Sequence, residues 1–442
     1  MRQHDVRERQ PMTTTERRYP RITDEGIAAM RARVGIPAKR DDRGKYTQIN
    51  ADASRGYSIA TGDLNPLYVD ADHARASRWG DTVAPPGILL ATGEPEGRDI
   101  TPEEREAGRG GALPGVHGMF AGRDFEWYQP MLAGDTIYKV TYEAGFYEKD
   151  GKFTGGRQIL QMVETLFRNQ RHEVVAKMLG WRMRTERDAA RERKSVFRES
   201  RVWSDEEMAE IDEAYARETW RGPEPRYWED VQIGDDLGEM VRGPFRVTDG
   251  VAWEMGWGGP YARTGKSDHA FRMRHPGAYT RDPRGVWDVV ERVHWDDEFA
   301  REIGVPAAYD YGAQRVGWTC NFLTNWMGDD AWLKRMWVQI RKFNILGDLQ
   351  TFTGEVIDKR IEDGEYQVVC DFQAINQLNE ITTPGQAIIL LPSREAGNPK
   401  VPTGSQPPYP TWEGDRKVVP VGPSPFQPVS STHGFRMVGL QD

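Results

Sequence analysis

Two stretches of this 442-residue chain gather side chains that can handle a proton. The first runs Tyr57-Ser58-Ile59-Ala60-Thr61-Gly62-Asp63-Leu64-Asn65-Pro66-Leu67-Tyr68-Val69-Asp70. Gly62 permits a tight turn, while Pro66 and its steric effect on Asn65 hold the backbone extended. Asp63, Asn65 and Tyr68 therefore share one loop. The same residues also suit plain turn chemistry that caps a helix starting near Asp70. The second stretch is His294-Trp295-Asp296, with Ala300 six residues beyond His294. Histidine is the side chain nearest to a neutral-pH general base without tuning. Tyr68, with a reference pKa of about 10, is better suited to donate a proton or anchor a water. Asp63 serves as a base only where burial raises its pKa. His294 has a plainer alternative too, as a buried imidazole satisfied by a backbone carbonyl.

The elements that must hold these residues come in two similar blocks. In the first, Gly134-Asp135 opens an alternating strand, Asp150-Gly151 marks a hairpin turn, and strands follow over Gln158–Arg168 and Glu173–Arg184. In the second, Gly347-Asp348, Asp363-Gly364, Tyr366–Ile375 and Ile381–Leu391 repeat the order. Period-2 alternation bounded by Asp-Gly is the signature of antiparallel hairpins. Upstream in each block a small-residue turn leads into an apolar helix: Val83-Ala84-Pro85-Pro86-Gly87 in one, Ala308-Tyr309-Asp310-Tyr311-Gly312 in the other. This predicts an N-terminal block over 20–185 and a C-terminal block over 227–392, each helix-first and then sheet. Between them, residues 186–226 hold nine basic and twelve acidic side chains. Ser204-Asp205-Glu206-Glu207 within that linker has the form of a capping box opening a helix. Residues 1–19 read as a disordered arm. The proline-rich 393–442 reads as an extended or disordered tail, or as a strap anchored by Trp412 and Phe426.

The loop Gly62-Asp63-x-Asn65-Pro66 resembles the hydratase loop of MaoC-like dehydratases, the (R)-specific enoyl-CoA hydratases, whose motif is G-D-x-N-P-apolar-H with a following H-x-D and Ala. Tyr68 stands where that motif has His. Ala84-Pro85-Pro86, Pro130 and Gly134-Asp135 resemble the N-terminal dehydratase-like half of two-hotdog members. In the C-terminal block, Gly256-Trp257-Gly258-Gly259-Pro260 falls at the motif's place without its Asp or Asn, and about thirty extra residues precede His294. The resemblance covers roughly 20–392. It implies an α+β double hotdog, with antiparallel sheets each wrapped around a central helix. It also implies hydration of an enoyl thioester, or the reverse dehydration of a 3-hydroxyacyl thioester, with acyl-CoA or another acyl thioester as substrate and no cofactor. His294 then matches the acid/base histidine and Gly312 the helix-start N–H that faces the thioester oxygen. Asp63, Asn65 and Tyr68 form a competing or complementary set. Asp288, Asp296 and Asp310 are candidates for the carboxylate missing beside His294. Because Asp and His are split between blocks, a non-catalytic acyl-CoA-binding partner of another MaoC-like subunit is an alternative, as is thioester hydrolysis on the same fold. Pairing with such a subunit, or a homodimer, is the expected assembly.

Composition narrows the class. The net charge is −9, from 59 Lys+Arg and 68 Asp+Glu, and the only cysteines are Cys320 and Cys370. That balance disfavours nucleic acid as partner and excludes a disulfide framework or a multi-Cys zinc site. A mean hydropathy of −0.71 predicts no membrane span, and a polar start without a secretory signal predicts a cytoplasmic protein. The insertion 261–291 carries His269, His275, Arg272 and Arg274; no metal site is expected there, because no further ligand has suitable spacing. A lid over the acyl site is the economical reading. Arg272, Arg274, Arg341 and Lys342 are candidates for the phosphates of coenzyme A. Fifteen Trp residues, among them Trp295, Trp318, Trp326, Trp332 and Trp337, suit a bulky or ring-bearing acyl group.

Overall fold

The strand-forming runs of both blocks join into a single ten-stranded sheet in the computed structural model, which describes residues 20–37, 44–96, 101–108, 112–149, 156–186 and 197–401. The N-terminal strands are β1 (Glu94–Pro95), β2 (His117–Trp127), β3 (Tyr138–Lys149), β4 (Gln158–Arg168) and β5 (Val174–Thr185). The C-terminal strands are β6 (Met240–Arg242), β7 (Tyr279–Arg281), β8 (Trp287–Val289), β9 (Trp332–Gln339), β10 (Gln350–Glu362), β11 (Glu365–Asn376) and β12 (Ile381–Leu390). Helices are α1 (Asp24–Arg31), α2 (Ala51–Thr61), α3 (Pro66–Val69), α4 (Ala71–Ala76), α5 (Pro102–Ala107), α6 (Asp205–Arg217), α7 (Val247–Trp257), α8 (Gly265–Arg274), α9 (Asp297–Glu302) and α10 (Gly312–Met327).

The sheet order β1-β3-β4-β5-β2-β9-β12-β11-β10-β6 places the two halves back to back, with the first long strand of each at the joint. There β2 pairs antiparallel with β9, and Glu126 faces Arg335. Arg335 donates to both carboxylate oxygens of Asp124 at 2.9 and 2.6 Å. The Asp363-Gly364 turn between β10 and β11 has positive φ at both residues, +52° and +77°, the geometry that hairpins of this twist require. One core unites the halves: Phe125 and Trp127 of β2, Met336 and Val338 of β9, and Val316 and Leu323 of α10 share a buried cluster.

The expected pair of central helices is where structure and sequence reading part. α10 runs sixteen residues, whereas the N-terminal counterpart is a 3-10 turn over Pro86–Ala91. The Thr92 hydroxyl bonds back to the Ile88 carbonyl at 2.7 Å, and Gly93, at φ +115°, turns the chain out towards β1. Gly87 meanwhile lies against α10, where a Cβ would stand 3.5 Å from Gly317 Cα. α10 therefore fills the concave space that both half-sheets offer. The other paired feature is symmetric. α2 and α7 each end on a left-handed glycine, Gly62 and Gly258, and cross where Gly256 meets Ala60.

Ser204 and Glu207 make the reciprocal capping box of α6, whose Ile211 is buried. The insertion is folded as α8 and the β7–β8 hairpin. The start of the proline-rich segment is clipped to the body, with Ser393 bonded to Glu229 at 2.6 Å and Arg394 to Asp230. The 1–19 arm, and the tail from 402 with Trp412 and Phe426, lie outside the described residues.

Candidate active site

The loop after α2 is built as two successive side-chain turns. Asp63 accepts the Asn65 N–H at 3.0 Å, and Asn65 in turn accepts the Leu67 N–H at 3.0 Å and caps α3. Asp63, Asn65 and Tyr68 are all buried. Desolvation pushes the Asp63 carboxyl up to about 7, against the lowering effect of the Asn65 N–H and Arg242. Burial likewise raises the Tyr68 hydroxyl well above its usual range, with Asp63 adding to it. Arg242 closes over this loop: it is paired with Glu218 at 2.6 and 2.9 Å, bonded to Asn321, and reaches the Gly62 carbonyl at 3.4 Å. The loop therefore packs on the middle of α10.

His294 lies at the other end of that helix. Its Nδ1 is 2.7 Å from the Tyr309 carbonyl oxygen. A carbonyl only accepts, so Nδ1 carries the proton of the neutral ring and Nε2 keeps a lone pair. Desolvation pushes this imidazole down to about 4, so it stays neutral at ordinary pH. The ring stacks on Tyr311 at a centroid distance of 3.7 Å, and Tyr311 is the residue just before Gly312, where α10 begins. No side chain caps that helix start, so the first-turn N–H groups and the positive end of the dipole face whatever lies there. Gly312 must be glycine for packing as well, because a Cβ would stand 2.7 Å from the Phe120 ring. Arg123, buried and held down to about 9 mainly by desolvation, stacks on that ring at 4.0 Å.

Two carboxylates join this end. Glu254, on α7, is raised by burial; its oxygens are shielded from solvent and make no hydrogen bond of good geometry, as is also true of the Tyr311 hydroxyl. Glu291 is pushed up to about 8 by desolvation, with the charge of Glu254 adding to it. Both carboxylates act electrostatically on Tyr311. Trp257 completes the wall, 5.9 Å from the Tyr311 ring. Sequence reasoning missed Glu254, Glu291 and Arg123. A signal existed for Glu254, a lone carboxylate between Trp253, Met255 and Trp257.

Among the predicted residues, His294 stacks on the residue next to Gly312, while Asp63, Asn65 and Tyr68 form a separate group. Gly312 and Asn321 are nine positions apart on α10, roughly 14 Å along its axis. The carboxylates proposed to replace the missing one are committed elsewhere. Asp296 caps α9 through the Phe299 N–H at 2.9 Å, Asp288 accepts the Val289 N–H at 2.8 Å, and Asp310 is locked in a buried pair with Arg315 at 2.6 Å. Arg272 and Arg274 lie on α8, with Arg272 over the Trp287 ring. Arg341 and Lys342 follow β9 and bond to Gln339 and Glu380, both at 3.0 Å. The tryptophans divide as well: Trp318 and Trp326 pack in the α10 core, and Trp337 meets Trp181 in a separate cluster. Among the described residues no group of three or more His, Cys, Asp or Glu is arranged to hold a metal, and no helix is long and apolar enough to cross a membrane.

Residues 39–178 match the FAS1-like dehydratase domain region. Among solved structures, a MaoC-like dehydratase is similar at a TM-score of 0.55 and 18% identity, over 81% of this chain and 99% of that one. A MaoC domain dehydratase from Chloroflexus aurantiacus gives 0.47 and 13%, over 82% and 94% of the two chains. A double-hotdog protein from Mycobacterium tuberculosis gives 0.44 and 11%, over 78% and 93%. No curated protein matches the sequence. The chain thus has the double-hotdog fold of the MaoC-like dehydratases, and the match to the FAS1-like dehydratase region lies in its N-terminal half.

Proposed function

We propose that this protein adds water to an enoyl thioester, or removes it from a 3-hydroxyacyl thioester, at the start of α10. The observation that carries the reading is the placement of His294, oriented by the Tyr309 carbonyl and stacked on the residue next to an uncapped helix N-terminus. Addition of water builds enolate charge on the thioester oxygen, and preorganised N–H donors contribute most to such a step. The Gly312 N–H and the helix dipole supply that donor. His294 Nε2 takes a proton from water as the oxygen bonds to Cβ. Glu291, still protonated near neutral pH, gives its proton to Cα, and the thioester carbonyl re-forms. The proton left on His294 returns to Glu291 through solvent. A general base contributes about 10²–10⁴-fold when its pKa lies near the working pH, and His294, held down to about 4, falls short of that range. Asp63, Asn65 and Tyr68 serve as a buttress for α10. Trp257, Tyr311 and Phe120 around the helix start favour a bulky or ring-bearing acyl group, carried on coenzyme A.

The test is loss of enoyl-thioester absorbance with pure protein, using aromatic or polycyclic acyl-CoAs against crotonyl-CoA. Turnover that favours the ring-bearing substrates supports the reading. Equal or better use of crotonyl-CoA sinks the acyl preference, and no turnover with any acyl group sinks the activity. A second reading, an acyl-CoA-binding partner of another MaoC-like subunit, is favoured by the separation of Asp63 from His294. Turnover that appears only on adding such a subunit, and survives His294→Ala, would support it.

A further inference from the structure

The concave face of the N-terminal half-sheet carries a cation that no acid answers. Arg123 points to the same side of β2 as Phe125 and Trp127, whose rings pack in the core with α10. Gly180 of β5 stands opposite it, and the missing side chain there leaves the guanidinium its room: a Cβ would be 2.7 Å from Nη1. Arg123 is 6% exposed. Its Nη1 donates to the Gly122 carbonyl at 2.8 Å, and Nε is shielded and unbonded. Nη2 is unbonded too but is not shielded, so it is the nitrogen left open to a ligand. The neighbouring charge that acts on Arg123 is a second cation, the exposed Arg182, which stands opposite Phe120. Glu143, further along the same face, is held by Gln161 at 2.8 and 2.9 Å, and among the described residues neither arginine has an ion-pair partner.

A buried charge left unpaired is costly. The face of Phe120, 4.0 Å from the Arg123 Cζ, offsets only part of that cost. The same ring packs on the start of α10, 2.7 Å from where a Gly312 Cβ would stand. The guanidinium thus lies one ring beyond the N–H that receives the thioester oxygen. That span is far shorter than the pantetheine arm between the thioester and the diphosphate of coenzyme A, so an anion at Arg123 belongs to the acyl group and not to its carrier. We propose that the acyl group carries a carboxylate remote from the thioester, and that Arg123 Nη2 receives it with Arg182 on the outer side. The inference rests on the reading that places the thioester at the start of α10, and it names the acyl class for that site.

Calorimetric titration of the full-length protein with 3-(4-carboxyphenyl)propanoyl-CoA and with its 4-carbamoyl counterpart tests it. The two thioesters share a shape and differ in charge, and neither can be hydrated. A charge-assisted hydrogen bond away from bulk water predicts that the carboxylate binds roughly 10- to 100-fold more tightly. In Arg123→Met, which keeps the length and loses the charge, the two affinities should converge to within about threefold. Arg182→Met, at an exposed position, should narrow the preference by about two- to fivefold. Equal affinities in the natural protein, a preference that survives Arg123→Met, or binding of neither thioester would each overturn the proposal. If Arg123→Met fails to fold by circular dichroism, Arg182→Met decides it: a narrowed preference supports the site, and an unchanged one refutes it. Turnover separates this inference from the reaction it rests on. Hydration of 4-carbamoylcinnamoyl-CoA alongside equal affinities sinks the carboxylate and keeps the reaction. Carboxylate-selective binding without hydration of any cinnamoyl-CoA sinks the reaction and keeps the site.

Discussion

Replacing Glu291 by glutamine should stabilise the protein in a strongly pH-dependent way. The folded chain holds this carboxyl at about 8 against an ordinary value of 4.5, chiefly through desolvation and next through the charge of Glu254. Below the ordinary value both folded and unfolded chains carry the proton, and the group contributes nothing to the balance. As pH rises between the two values, the unfolded chain ionises while the folded chain does not, so stability falls. At about 1.36 kcal/mol for each pH unit separating the two values, the full loss has an upper bound of about 5 kcal/mol by pH 8; relaxation and water entry reduce it to a few kcal/mol. A glutamine side chain cannot ionise and escapes this loss. Urea unfolding of both proteins at pH 4 and pH 9 is the assay. Glu291→Gln should match the natural protein within about 1 kcal/mol at pH 4 and exceed it by roughly 2–4 kcal/mol at pH 9. Parallel pH profiles would refute the burial argument and, with it, the role of Glu291 as proton donor.

Gly312→Ala drives a methyl into the Phe120 ring at 2.7 Å; it should cost about 1–3 kcal/mol in urea unfolding and lower turnover by shifting the helix start. Arg315→Ala strands the buried Asp310 carboxylate and should cost about 3–5 kcal/mol, measured as a fall in the unfolding midpoint. Ser204→Ala removes one arm of the α6 capping box, with an expected loss of about 1 kcal/mol by the same measurement and unchanged turnover.

Much of the sheet was readable because period-2 alternation and the Asp363-Gly364 turn are local signals, while the Asp150-Gly151 turn lies outside the described residues. The runs at Gln158–Arg168 and Ile381–Leu390 appear within a residue of where the pattern puts them. The N-terminal central helix was not readable. Ile88-Leu89-Leu90 has helical composition, but Gly87 packs against Gly317 of the other half, and that contact is tertiary. The site divides along the same line. His294 and Gly312 stand out by residue type and spacing, and the His294 ring stacks on Tyr311, the residue before Gly312. Glu254 and Glu291 are far apart in sequence and acquire meaning only through shared burial beside Tyr311. The spacing of Asp63 and Asn65 also builds a turn; in the structure that turn is made, and Arg242 reaches the Gly62 carbonyl beside it.

The central claim is that chemistry occurs at the start of α10 and not at the Asp63 loop near its middle. Steady-state hydration of one ring-bearing enoyl-CoA by the natural protein, His294→Gln and Asp63→Asn tests it most directly. The account predicts a fall approaching about 10²-fold for His294→Gln and at most a few-fold change for Asp63→Asn. Near-natural turnover by His294→Gln, with activity abolished in a folded Asp63→Asn, would contradict it.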